Sequence, residues 1–226
     1  MSLLDQQMAE RRERILEAAR TIIGARGYEG LTMRDLARAS RVTVPTIYNL
    51  IGSKEQVLFA AVEQQTASFL AGIRREPGDA IAVVDAAVRE LLRRPRYYRE
   101  LLLVLVGAPA AGPARRHVDR ALAGELDASL SELAEAGEIA AWVDRGLLRE
   151  RLHSHLDMTS IEWAKGWLTA AAFRAAARFD AATLLLAVTT GRSRAAFERV
   201  ARESQSGARL RGARRPRGMD AAEARG

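Results

Sequence analysis

Leu31-Thr-Met-Arg-Asp-Leu36-Ala-Arg-Ala-Ser40-Arg-Val-Thr-Val-Pro45-Thr-Ile-Tyr-Asn-Leu50-Ile-Gly-Ser-Lys-Glu55 is the stretch on which the reading of this chain turns. Thr32 stands where an N-cap would open a helix over Met33–Ala39. Thr43 does the same for Val44–Leu50, whose first turn holds Pro45. Only Ser40, Arg41 and Val42 separate the two segments, the length of a helix-turn-helix connection. Leu36, Ala37, Val42, Ile47 and Leu58 can close over one another as a miniature core. Thr43, Val44, Pro45, Thr46 and Asn49 are then left on the outer edge. A second helix braced in this way enters the major groove with its first residues at base edges. Small groups there allow close approach, and methyl-bearing side chains can meet thymine methyls. Thr32, Thr43 and Lys54 all stand at helix starts, where free amides and the helix dipole favour phosphate.

Outward from this unit the chain reads as helical nearly throughout. Upstream, Ile15, Ala18, Ala19, Ile22 and Ile23 form one apolar stripe at helical spacing, and Gly27 is placed to end it. Downstream, Ser53 can cap a helix from Lys54 that puts Val57, Leu58, Ala61 and Val62 on one face. Arg75-Glu76-Pro77-Gly78-Asp79 is the first strong break. Beyond it, breaks at Pro95, Gly107–Pro113 and Phe179-Asp180 predict helices near 79–93, 96–106, 115–136, 145–177 and 180–202. The fold class is therefore all-α. Residues 1–58 form a three-helix helix-turn-helix domain, 59–204 a larger helical domain, and 205–226 a basic, Gly/Arg/Pro-rich tail expected to be disordered.

Composition excludes several classes. The 226 residues contain no cysteine, which removes disulfide frameworks, thiolate zinc sites and cysteine nucleophiles. Met1–Arg12 lacks the apolar run of a signal peptide. The apolar stretch Leu101–Ala111 is broken by Gly107 and Pro109, far short of the roughly 20 residues that span a bilayer. A cytoplasmic protein without membrane partners is expected. The net charge of +7 points less clearly at nucleic acid, because more than half of the excess falls in residues 202–226. Lys54 is one of only two lysines against thirty-three arginines, which suggests a site that prefers a compact point charge.

The run Thr32…Leu36-Ala37…Val42-Thr43…Pro45-Thr46-Ile47-Tyr48…Gly52-Ser53-Lys54-Glu55…Leu58, preceded by a helix ending at Gly27-Tyr28, resembles the TetR family of one-component regulators. The likeness covers about residues 10–60. It implies a homodimer in which the last two long helices of each subunit pack as a four-helix bundle. It also implies a ligand cavity in the C-terminal domain whose occupancy moves the two heads apart. By position, DNA contacts carry over to Thr32, Arg34, Thr43, Val44, Pro45, Thr46, Tyr48, Asn49 and Lys54. Tyr48 and Lys54 are expected on phosphates, and Arg34 with the second-segment residues near bases. Arg41 stands where the family usually has a turn glycine, Leu50-Ile51 replaces the common His-Phe, and Pro45 is often a smaller residue.

The implied function is a transcriptional repressor on a palindromic double-stranded DNA operator, released by a small lipophilic effector, with no cofactor and no catalytic site. A helical enzyme is the alternative, metal-dependent through His153 and Asp157, which share a helix face. No second histidine joins them at ligand spacing and no phosphate-binding glycine loop is present, so no metal is expected. A binding module without DNA affinity is the third reading, favoured only by Arg41 and Leu50. Tyr97, Tyr98, Leu101, Leu105, Trp142 and Phe173 are candidates for the cavity wall. Trp163, Trp167, Val188, Gly191 and Ala195 are candidates for the dimer seam, with the small Gly191 permitting close helix approach.

Overall fold

A computed structural model describes residues 3–107 and 111–208. These fold into α1 (Leu3–Arg26), α2 (Met33–Ser40), α3 (Val44–Leu50), α4 (Lys54–Gly72) and α5 (Ala80–Arg93), followed by α6 (Pro95–Gly107), α7 (Gly112–Glu135), α8 (Arg145–Ala164), α9 (Ala170–Val188) and α10 (Gly191–Ala208). The all-α expectation holds. Among the described residues no strand forms, and an isolated antiparallel bridge joins Ile139 and Thr189.

The head is built as the local sequence dictates. Thr32, Thr43 and Ser53 each cap their helix, their hydroxyls accepting from the backbone N–H of Asp35, Thr46 and Gln56. Ile15, Ala19 and Ile23 of α1 meet Leu36, Ala37, Ile47 and Leu58, all buried, with Val42 packed at the margin. Gly27 ends α1 with φ +71°. The turn between α2 and α3 keeps the left-handed geometry despite its residue: Arg41 sits at φ 55°, ψ 46°, and Val42 N–H returns to Ala37 C=O at 3.0 Å. A left-handed L-residue costs about 1–2 kcal/mol. Replacing Arg41 with glycine should therefore raise stability, by roughly 1 kcal/mol after glycine's greater unfolded-state entropy is subtracted. A urea midpoint that falls instead would show the turn to be unstrained.

The body departs from the expected helix boundaries in two places. The helix expected over 145–177 stops at Ala164, where Gly166 (φ +78°) closes a left-handed cap. Trp167 N–H bonds Glu162 C=O at 2.9 Å, and Gly166 N–H bonds Trp163 C=O at 3.0 Å. Thr169 then caps α9, its hydroxyl accepting from Ala172 N–H at 3.1 Å. The expected break at Phe179-Asp180 does not exist, because α9 runs through it to Val188. The true break is Thr189-Thr190, followed by Gly191 at φ +62°. Here the 136–144 loop is stitched to the α9–α10 turn by Ala140 N–H to Val188 C=O (2.9 Å) and Thr190 N–H to Glu138 C=O (3.0 Å). At the far end α10 continues to Ala208, so residues 205–208, expected in the tail, are helical. The rest of the tail lies outside the described residues.

Head and body meet through α1, α4 and α6. α1 and α6 cross closely at Gly24: a Cβ there would stand 3.2 Å from the backbone N and Cα of Tyr97, so a larger residue would press the two helices apart by a few tenths of an ångström. Beside it, Arg94 grips both carboxylate oxygens of Glu17 at 2.7 and 2.8 Å. The buried Arg20 ties Glu13 and Glu17 of α1 to Gln64 of α4. Val57, Leu58, Ala61 and Val62 of α4 are all buried, as their spacing predicts.

Candidate nucleic-acid interface and cavity

On α3 the two faces separate as a groove-entering helix requires. Ile47 is wholly enclosed and Val44 packs partly against the core, while Thr43, Pro45, Tyr48 and Asn49 are exposed. Thr46 is half-buried, its hydroxyl sharing a 2.7 Å hydrogen bond with that of Thr43. Thr32 and Arg34 are exposed at the start of α2, where Thr32 also donates to the Asp35 carboxylate at 3.0 Å. Lys54 is less free than its position suggests. Its ammonium lies 4.3 Å from the centre of the Tyr28 ring and 3.9 Å from the Glu29 carboxylate. Burial raises the Tyr28 phenol to about 12, with Glu55 and Glu29 adding to the shift, so the ring stays neutral beneath the cation.

In the body, α4, α5, α6, α7 and α8 line a partly open cavity of about 110 Å³. Its walls are mainly apolar, among them Val62, Phe69, Leu91, Leu122 and Leu156, joined by Gln65, Thr66, Glu90, Tyr98, Asp157 and Ser160. Of the six residues expected to line it, Tyr98 and Leu101 do so. Tyr97 instead turns to an open cleft against α1, beside Arg20 and Arg94. Leu105 and Phe173 are core residues away from the cavity, and Trp142, 77% exposed in the loop after α7, stands outside the body altogether. Tyr98 donates its hydroxyl to Glu90.

Of the residues expected at the seam, one needs correction. Trp163 is fully enclosed within one subunit, stacked on Phe173 at 5.1 Å and 13° with the Arg99 guanidinium 5.0 Å above its ring. It is therefore a core residue and cannot itself meet a partner. Trp167 is partly exposed in the turn after α8, under Lys165. Gly191 opens α10, exposed and in a positive-φ conformation with Glu138 against it, while Val188 closes the previous helix and Ala195 is exposed.

Asp119, His153 and Asp157 bring their ligand atoms within 4.8 Å of one another. Arg115 already fills the role of a cation there, pairing with Asp119 at 2.8 Å and with Asp157. His153 Nε2 lies 3.5 Å from Asp119, an interaction that raises the imidazole above its ordinary value near 6.5 despite opposing burial; Asp157 at 4.0 Å adds to it. A raised histidine stabilises the fold fully below its unfolded value, and that stability is lost as pH rises through the native one. Urea midpoints measured from about pH 6 to pH 9 should fall over this window, and His153→Gln should flatten the fall. An unchanged slope in the variant would show that the histidine does not titrate in this network.

Residues 15–61, which hold α2, α3 and their supports, match the model of the bacterial regulatory proteins of the tetR family. Over these residues the chain is similar to the TetR family of regulators. Solved structures extend the likeness to the body. One is SmeT, the repressor of the Stenotrophomonas maltophilia multidrug efflux pump SmeDEF: 15% identity, 80% of this chain and 92% of that one covered, TM-score 0.66. A second is the tetR regulator TylP from Streptomyces fradiae, with 22% identity, 88% and 96% coverage, and TM-score 0.64. A third is FadR from Bacillus subtilis in complex with stearoyl-CoA, with 20% identity, 76% and 97% coverage, and TM-score 0.64. Identities this low speak for a shared TetR-like fold. No curated protein matches the chain at a significant level.

Within this TetR-like fold, the sequence pattern did not single out Gly24, Gln65, Glu90 and Arg115. One signal was available. The apolar face Val57, Leu58, Ala61, Val62 continues at helical spacing to Gln65 and Thr66, so two polar groups stand where core is due.

Proposed function

We propose that this protein is a repressor that binds a palindromic operator as a homodimer in the cytoplasm and is released when a small lipophilic molecule fills the cavity. The exposed outer edge of α3, held from behind by the enclosed Ile47, carries this reading. Tyr48 and Lys54 contact phosphates, and Arg34, Thr43, Val44, Pro45, Thr46 and Asn49 approach bases in one half-site per head. Thr32 caps α2 at the same edge. The last two helices, α9 and α10, supply the subunit contact as they do in the family.

The coupling follows from one element. α4 begins at Lys54 in the head and reaches Gln65, Thr66 and Phe69 at the cavity within the same 19-residue helix. At 1.5 Å per residue it spans about 28 Å as a single rod, so displacement at the cavity end tilts the head. Among the described residues no helix is long and apolar enough to cross a membrane.

A mobility-shift titration with the DNA upstream of the protein's own gene tests the reading. A retarded band that survives competitor DNA at moderate salt, formed by protein that sediments as a dimer, is the expected result. A folded dimer giving only salt-sensitive, sequence-indifferent binding contradicts it.

A further inference from the structure

The polar groups of the cavity are not a random sample of side chains. Gln65 is 8% exposed, yet its Oε1 is buried without a hydrogen-bond partner. Thr66 spends its hydroxyl proton on Val62 C=O at 2.9 Å, so it presents only lone pairs. Glu90 accepts from Tyr98 and keeps further acceptor capacity. Asp157 places a second carboxylate on the wall. Among the described residues no arginine, lysine or histidine lines the cavity; Glu90 pairs with Arg93 at 3.4 Å and Asp157 with Arg115, neither of which is a lining residue. The lining is therefore mainly apolar, with acceptor oxygens from Gln65, Thr66, Glu90 and Asp157 and no cationic side chain of its own.

We propose that the effector is a compact lipophilic amine, about one ring in size, whose ammonium group binds among Gln65, Thr66 and Glu90, and that anionic molecules are rejected. The proposal rests on the reading of this cavity as the effector site. An ammonium group offers three donors and no acceptor, which complements this wall. A carboxylate or phosphate would face the Glu90 and Asp157 carboxylates with no cationic side chain in the wall to meet it, and would leave the Gln65 oxygen unpaired. Size points the same way: an apolar cavity of about 150 Å³ holds benzene. At about 110 Å³ this one takes a single small ring once its half-buried walls, Phe69, Leu91 and Leu102, yield slightly.

Isothermal titration of the full chain with benzylamine, benzyl alcohol and benzoate, three ring compounds of nearly equal shape, tests the charge preference directly. Benzylamine should bind at least about 10-fold tighter than benzyl alcohol, and benzoate should bind weakest. Glu90→Gln should bring benzylamine to within about threefold of benzyl alcohol while leaving benzyl alcohol binding intact, which also reports that the variant is folded. Gln65→Leu provides a second variant, with the same loss of amine preference. Benzoate binding as well as benzylamine, or no binding by benzylamine, overturns the proposal whatever the variants do. Anisotropy of labelled operator DNA in the same solutions separates the two claims. Benzylamine that binds without releasing DNA leaves the ligand class standing and refutes release, whereas release by benzoate alone does the reverse.

Discussion

Replacing Tyr48 with alanine is expected to weaken binding to operator and to unrelated duplex alike, by about 5- to 100-fold for the dimer. Tyr48 is 53% exposed at the outer edge of α3, so its ring contributes little to folding. Its value lies in what it touches outside the chain. A hydrogen bond of this kind is worth about 0.5–1.5 kcal/mol net, and a twofold-symmetric complex loses it twice. Because phosphates carry no sequence information, the loss should be the same for every duplex. Asn49→Ala supplies the contrast. Asn49 is exposed on the same helix and assigned to base edges, so its removal should narrow the gap between operator and scrambled DNA, at about 1–3 kcal/mol for the base pair it reads. Fluorescence anisotropy with both duplexes separates the two behaviours. Equal loss of discrimination in both variants would contradict the assigned roles. Urea midpoints should stay within about 0.5 kcal/mol of the parent, as expected for exposed sites away from caps.

Trp163→Ala is expected to cost about 3–5 kcal/mol of folding stability, the largest effect of any single change considered. The indole is wholly enclosed, stacks on Phe173 and lies under the Arg99 guanidinium, so truncation opens a cavity and strips two partners at once. The protein that remains folded should still form dimers, because no part of Trp163 reaches the surface. Trp167→Ala, in a partly exposed ring on the adjacent turn, should change stability far less. Sedimentation together with chemical denaturation distinguishes the outcomes. A Trp163 variant that dissociates at unchanged subunit stability would return this residue to the seam.

The contrast between the two tryptophans shows where sequence reading fails. Both stand at helical spacing with Gly166 between them, and the apolar period runs on unbroken across Lys165–Thr169. The left-handed glycine cap and the Thr169 cap were both legible, but a continuing period conceals a short break. The same limit applies at Phe179-Asp180, where an aromatic–acid pair resembles a boundary although nothing there takes a backbone group away from the helix. In the cavity, Tyr98 and Leu101 were identifiable as apolar groups on α6. Gln65, Glu90 and Asp157 were not, because three helices far apart in sequence bring them together.

The order of the helices in the head, their caps, the inward Ile47 and the outward edge of α3 were written in the sequence. Each depends on partners three or four residues away, or on a turn of three. The location and polarity of the cavity, the enclosure of Trp163, the Arg115 network and the glycine-thin crossing of α1 with α6 were decided only by tertiary packing. Those features arise when helices separated by tens of residues meet, and a side chain's neighbours across such a contact leave no periodic trace in its own segment.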